Sequence, residues 1–188
     1  MIVELDQQLF LYLNSLNSPF WDKIMYAISG TLIWAPLYLA LLIFLAIKYK
    51  KRFFVILLLL VLGVFFADTG SVKLFKNVFE RLRPCHEPTL EGLVHIVNGR
   101  CGGMYGFVSS HASNCFFAAT ISGLLIRKRW FSISMICWAA IIGYSRIYLG
   151  VHYPGDIICG AAFGVLVGWG VFKLYEIIDV KLLKINVI

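Results

Sequence analysis

The stretch YSRIYLGVHYPGD, residues 144–156, sets Arg146, His152 and Asp156 beside a proline and two glycines. On either side the chain is uncharged: WFSISMICWAAIIG runs from 130 to 143 and IICGAAFGVLVGWGVF from 157 to 172. Runs like these become membrane helices once they approach the ~20 residues that span a bilayer. An ionisable group at the edge of such a run is expensive and marks function by default. The stretch therefore reads as a polar turn joining two membrane helices, and this decides the fold class.

The rest of the chain agrees. Of 188 residues, 60% are hydrophobic and only 14% charged, where a soluble domain carries about a quarter charged. The net charge of +7 would suggest nucleic acid in a soluble protein; here it fits basic loops that fix topology and a site that binds anions, with no nucleic-acid partner. Residues 1–19 show no basic leader of a cleavable signal peptide. One domain over 1–188 is expected, without internal repeats.

Five spans are expected, at about Lys23–Tyr49, Phe53–Val78, His111–Ile126, Trp130–Tyr148 and Pro154–Ile178. Before them, IVELDQQLFLYLNSL (2–16) alternates Ile2, Leu5, Leu9, Tyr12, Leu13 and Leu16 with Glu4, Gln7, Gln8 and Asn14. Residues 1–19 thus form an amphipathic helix too polar to span, lying in the interface or packed as a terminal helix. Residues 84–110 form a polar loop. The cations Lys48, Lys50, Lys51 and Arg52, then Arg127, Lys128 and Arg129, then Lys173, Lys181 and Lys184 fall on one side, which the positive-inside rule makes cytoplasmic. The N-terminus, the loop 84–110 and the turn 146–156 then face outward.

Three polar clusters meet on that outward face. In KLFKNVFERLRP (73–84), Lys76 and Arg83 lie seven residues apart, two turns of one helix, before Pro84 stops it; alone they would also suit snorkelling cations. In GFVSSHAS (106–113), Ser109 or Ser110 caps a helix whose first turn holds His111, and free N–H groups at such an end bind anions. In the third, Asp156 lies four residues after His152, near enough to fix the imidazole tautomer. Three cations, two histidines and one carboxylate suit phosphoryl transfer: Lys76, Arg83 and Arg146 neutralise phosphate oxygens, one histidine attacks phosphorus and the other protonates the leaving oxygen. No carboxylate cluster suits Mg²⁺ and no His/Cys spacing suits Zn²⁺, so no cofactor or metal is expected.

These residues resemble the type 2 phosphatidic acid phosphatase (PAP2) superfamily, whose pattern is K-x6-R-P, P-S-G-H and S-R-x5-H-x3-D. The chain reads Lys76…Arg83-Pro84, Val108-Ser109-Ser110-His111 and Ser145-Arg146…His152…Asp156, departing at Val108 and Ser110. The resemblance implies an all-α membrane bundle in which His152 is the nucleophile that becomes phosphohistidine. It implies that Asp156 supports it, that His111 is the general acid, and that Lys76, Arg83, Arg146 and Ser109, with the Ser110 backbone, hold the phosphate. Family members commonly have six spans; five are counted here.

The expected activity is a metal-independent lipid phosphatase of the bacterial cytoplasmic membrane, facing the periplasm or exterior. Its substrate would be a phosphorylated membrane lipid: undecaprenyl pyrophosphate, phosphatidylglycerol phosphate, phosphatidic acid or a lipid A phosphate. No obligate protein partner is expected. A phosphotransferase would use the same residues, and a silent lipid-binding scaffold would not need both histidines. Asp68 is expected to neutralise a cation such as Lys73, His86 and His95 to be solvated, and Cys115, Cys137 and Cys159 to fill apolar space. Cys85 and Cys101, on an outward loop, should form a disulfide. The topology predicts that single cysteines placed at 86–100 react with an impermeant reagent from outside, and that cysteines at 50 or 128 do not; the reverse pattern would invert the site.

Overall fold

The computed structural model describes residues 2–182, and Met1 and Lys184 lie outside them. Among the described residues eight α-helices succeed one another: α1 (Ile2–Ser15), α2 (Pro19–Ser29), α3 (Ala35–Tyr49), α4 (Phe53–Gly70), the short α5 (Asn77–Phe79), α6 (Ser110–Ile126), α7 (Arg129–Tyr148) and α8 (Pro154–Leu182). Among the described residues no strand forms beyond one antiparallel bridge, Leu82 with Tyr105.

Three stretches are long and apolar enough to cross a membrane: Leu32–Phe79, Arg129–Tyr148 and Pro154–Asp179. As one straight helix the first, at 48 residues, would extend on the order of 70 Å, more than twice the ~30 Å hydrocarbon layer. It folds back instead at Lys50 (φ 51°, ψ −123°). On one side of the turn, Lys48 Nζ donates to the carbonyls of Leu125 (2.8 Å) and Ile126 (3.1 Å). On the other, Arg52 pairs with Asp179 at 3.1 Å. The ends of α3, α6 and α8 and the start of α4 therefore share one basic end of the bundle. With α6 in the centre, α3, α4, α6, α7 and α8 stand where the five crossings were expected, and the stretches long and apolar enough to span lie in α3–α4, α7 and α8. Phe54, Leu58, Val61, Phe65 and Phe66 on α4 stay exposed, as a lipid-facing surface must.

The first expected span, Lys23–Tyr49, is corrected. Gly30 adopts an extended conformation (φ −71°, ψ 139°) that ends α2, and Trp34 Nε1 bridges the break by donating to Ile28 O at 2.8 Å. α2 thus belongs to the polar end. So does α1, whose orientation decides between the two readings of residues 1–19. Leu5, Leu9, Tyr12 and Leu16 remain exposed, while Phe10 and Asn14 are buried. Asn14 is not on a solvated face: its Nδ2 donates to the last carbonyls of α7, Ile147 (3.2 Å) and Tyr148 (2.8 Å), and its Oδ1 accepts the His95 N–H at 2.8 Å. The helix packs through Phe10, Leu13 and Asn14, and leaves Leu5, Leu9, Tyr12 and Leu16 for lipid.

What holds α6 against α8 is a glycine ladder, Gly160, Gly164 and Gly168, one per helical turn. A Cβ on Gly160 would stand 2.6 Å from Ser109 O, one on Gly168 2.9 Å from Thr120 Cβ, and one on Gly164 would collide with the Ser113 carbonyl. Small residues let helix backbones approach in lipid, where apolar burial alone gives little preference for helix over solvent. Gly164→Val should force the helices apart and cost at least the ~1–3 kcal/mol of an overpacked core, lowering the melting temperature in detergent. Gly170→Ala, with nothing within 4 Å of the new methyl, should leave it unchanged or raise it.

Candidate active site

The polar clusters converge on a cavity of about 590 Å³ at the end opposite the basic turns; its lining includes Lys76, Arg83, Ser110, His111, Arg146 and His152. The chain reaches that end by four routes. After α4 the backbone opens into a π-helical turn, Ser71–Lys76, a departure found most often at functional sites. Ser71 is fully buried there; its hydroxyl donates to Asp68 O and hydrogen-bonds Ser110 Oγ, both at 2.6 Å. Lys76 Nζ donates to Ser110 Oγ at 2.8 Å. The Ser110 hydroxyl, a departure from the family pattern, is thereby built into the cation's support.

Lys76 and Arg83 do not share a helical face, contrary to the sequence expectation. The helix ends at Phe79 because Glu80 turns left-handed (φ 46°, ψ 29°), and residues 81–83 run extended against the loop. Arg83 N–H donates to Met104 O at 3.1 Å and Gly106 N–H to Arg81 O at 2.9 Å. Arg83 is then aimed by two carbonyls, Tyr105 O (Nε, 3.2 Å) and Cys101 O (Nη1, 3.3 Å). Cys101 is itself bonded to Cys85 in the expected disulfide, Cα–Cα 6.0 Å. His86 Nε2 lies 3.3 Å from Gly102 O.

α6 begins with Ser109 as N-cap, its hydroxyl accepting the Ala112 N–H at 3.4 Å, and His111 sits in the first turn. Ser109 is fully buried, and its own N–H donates to Asp156 O at 3.1 Å; Ser110, not Ser109, lines the cavity. From α7, Arg146 donates through Nη1 to Ser29 Oγ on α2, while its Nε is buried without a partner. Such a donor suits an incoming oxyanion, because leaving it unmade is costly.

His152 is 1% exposed and its Nδ1 lies 3.3 Å from Asp156 Oδ2, which also accepts the Tyr153 N–H at 3.0 Å. Gly106 presses against this pair: a Cβ there would lie 3.0 Å from Asp156 Oδ2 and 3.5 Å from His152 Nδ1. Burial, and then the charges of Arg83, Arg146 and Lys76, hold the imidazole well below the ordinary histidine pKa. With Nδ1 engaged by the carboxylate, a neutral imidazole would carry its free lone pair on Nε2.

Other sequence expectations are corrected. Asp68 accepts from Asn114 Nδ2 at 3.1 Å and lines the cavity, whereas Lys73 is exposed. His95 is not merely solvated: its Nε2 lies 2.9 Å from Asp22 Oδ1. Cys137 and Cys159 are exposed on helix faces rather than packed; Cys115 is buried. Arg81, Asp6 and Asn14 were missed as supporting residues. The doubled arginine of ERLRP was the available signal for Arg81; nothing local marked the other two.

The family model of the PAP2 superfamily matches residues 52–178, from the start of α4 to near the end of α8. The chain belongs to the PAP2 superfamily. It is 42% identical over 168 residues to a lipid A 4'-phosphatase of Bacteroides thetaiotaomicron, covering 88% of this chain and 75% of that protein. To a lipid A 4'-phosphatase of Porphyromonas gingivalis it is 38% identical, covering 93% and 74%. Among solved structures it resembles Aquifex aeolicus LpxE (TM-score 0.68, 26% identity, 88% of this chain and 93% of that one). Its fold also matches a PAP2-type phosphatidylglycerolphosphate phosphatase of Bacillus subtilis (TM-score 0.73, 22% identity, 98% and 89%). The chain is a PAP2 membrane lipid phosphatase, and the PAP2 match contains all three clusters that meet at the cavity.

The disulfide generates a prediction about this PAP2 site. The cross-link joins residues 16 positions apart in sequence and should contribute about 3 kcal/mol to stability. Because Arg83 rests on Cys101 O, Cys85→Ser with Cys101→Ser should lower the melting temperature and also weaken inhibition by inorganic phosphate. Equal phosphate inhibition in the two forms would separate the loop from Arg83.

Proposed function

We propose that this protein removes the 4'-phosphate of lipid A through a phosphohistidine on His152, without a metal. The observation that carries the mechanism is the buried His152, held at Nδ1 beside Asp156 in a cavity lined by Lys76, Arg83, Arg146 and His111. The phosphate is bound by the three cations, which neutralise its oxygens as they crowd in the transition state. Nε2 of His152 attacks phosphorus, the P–O bond to the sugar breaks, and His111 gives its proton to the leaving oxygen. His111 then takes a proton from water as that water attacks phosphorus; the N–P bond breaks and inorganic phosphate leaves. Three fixed cations do the electrostatic work a metal would do. Cys85, His86 and Cys101 cluster within ligand distance, but both sulfurs are spent in the disulfide.

Two further observations support a lipid headgroup. The cavity shares Tyr38, Val64 and Ala118 with an apolar hollow of about 340 Å³ between α3, α4 and α6, which suits an acyl chain beside a bound phosphate. The lipid A 4'-phosphatases named above align over most of both chains, favouring lipid A over the other candidate lipids. The basic end of the bundle fits the cytoplasmic side by the positive-inside rule, with the cavity at the periplasmic or outer face of the cytoplasmic membrane.

The test is phosphate release by purified protein from lipid A, undecaprenyl pyrophosphate, phosphatidylglycerol phosphate and phosphatidic acid. Lipid A carrying a 4'-phosphate should be turned over fastest, with EDTA harmless and vanadate inhibitory. His152→Ala should abolish turnover. His111→Ala should be impaired less on 4-nitrophenyl phosphate than on the lipid, since a good leaving group needs little protonation. Lys76, Arg83 or Arg146→Ala should each cost roughly 3 kcal/mol of transition-state stabilisation, about a hundredfold in rate. Turnover in His152→Ala, or a requirement for added Mg²⁺, would sink the mechanism.

A further inference from the structure

The hydrogen bonding that holds His152 continues past Asp156 and out of the cavity. Asp156 is fully buried with both oxygens engaged: Oδ2 serves His152 and the Tyr153 N–H, and Oδ1 accepts from Arg81 Nη1 at 3.0 Å. Arg81 Nη2 donates to Asp6 Oδ2, on α1, at 2.8 Å. The other oxygen of Asp6 accepts the Gly155 N–H at 2.8 Å, in the first turn of α8, one residue before Asp156. The guanidinium carbon lies 4.0 Å from the centroid of the buried Tyr153 ring, and that ring is braced edge-on by Phe10 of α1 at 5.4 Å. Arg81 is thus clamped between two carboxylates and an aromatic face, and it is not among the residues lining the cavity.

A cation spent on two carboxylates is not a phosphate ligand. Its fork geometry fixes a carboxylate in orientation as well as position. Here the carboxylate fixed is the one that orients the imidazole, and without Arg81 its Oδ1 would be a buried charge with no partner. We propose that Arg81 is a positioning residue for phosphoryl transfer, acting through Asp156 on His152, and that Asp6 makes the N-terminal helix a working part of the same assembly. This rests on the reading of His152 as nucleophile. Asp6 lies outside the segment matched by the family model, so α1 adds to the PAP2 site a support that the three sequence clusters do not contain.

The experiment measures kcat and KM for phosphate release, per folded molecule, in Arg81→Ala, Arg81→Lys, Asp6→Asn, Asp156→Asn, His152→Ala and the double variant Arg81→Ala/Asp156→Asn. Arg81→Ala should lower kcat at least tenfold with KM within twofold of wild type. Arg81→Lys should recover part of that loss, because an ammonium can still reach one of the two carboxylates. Asp6→Asn keeps the shape and removes the charge; it should lower kcat a few-fold, and it carries the test if Arg81→Ala does not fold. Residues in one network are not additive, so adding Arg81→Ala to Asp156→Asn should cost less than a further twofold. A raised KM at unchanged kcat would make Arg81 a substrate contact, additive losses would uncouple it from Asp156, and a lowered melting temperature at wild-type kcat would leave it a structural pair; each overturns the proposal. If His152→Ala is inactive while Arg81→Ala and Asp6→Asn keep full kcat, this inference alone falls. If His152→Ala remains active, the nucleophile reading falls and takes the inference with it.

Discussion

Glycines at 160, 164 and 168 let α8 lie against α6 at a separation that side chains would forbid, and the rest of the site is arranged around that contact. At its outer end the two backbones come close enough for Ser109 N–H to donate to Asp156 O at 3.1 Å. The start of α6, with His111, is thereby set beside the start of α8, with Asp156. The N-terminus of α6, whose Ser110 and His111 line the cavity, also brings its partial positive charge to it. Wider helix spacing would separate His111 from the turn that carries His152, whatever side chains remained.

The second constraint is charge at a membrane boundary. Lys76, Arg83 and Arg146 all line one cavity, and like charges in a low-dielectric site repel strongly. The protein manages this by giving each cation a neutral oxygen: Ser110 Oγ for Lys76, the carbonyls of Cys101 and Tyr105 for Arg83, and Ser29 Oγ for Arg146. Neutral partners hold a cation in place without cancelling its charge, which leaves the attraction for a phosphate intact. Arg81 is treated in the opposite way, with two carboxylates. The difference in partners separates the cations that line the cavity from the one held by the framework.

Much of this was legible in the chain. The apolar runs marked an all-helical membrane bundle, because lipid leaves the backbone few alternatives to helix. The spacing of His152 and Asp156, and the cap Ser109 before His111, survived into the structure because they are local. Where the sequence reading failed, it had extended a local rule across a break: it joined α2 to α3 through Gly30 and continued a helix through Glu80. In both places long-range partners hold the break, Arg146 on Ser29 in one case and the Arg81–Gly106 pairing in the other.

Composition and spacing by themselves determined that this is a helical membrane protein with a set of cations and histidines gathered in three polar clusters. Those properties follow from residue type and short-range period. Only the tertiary structure decided which serine faces the cavity, that Arg83 arrives on an extended segment tied down by a disulfide, and that Asp6 and Asn14 of the first helix are turned inward. Asp6 meets Arg81 and Gly155, and Asn14 meets the end of α7. These pairings join residues from 75 to 149 positions apart, and no periodicity in the chain encodes them: a polar residue on an amphipathic helix can face water or protein equally well until the packing of α7 and α8 presents it with unpaired donors and acceptors.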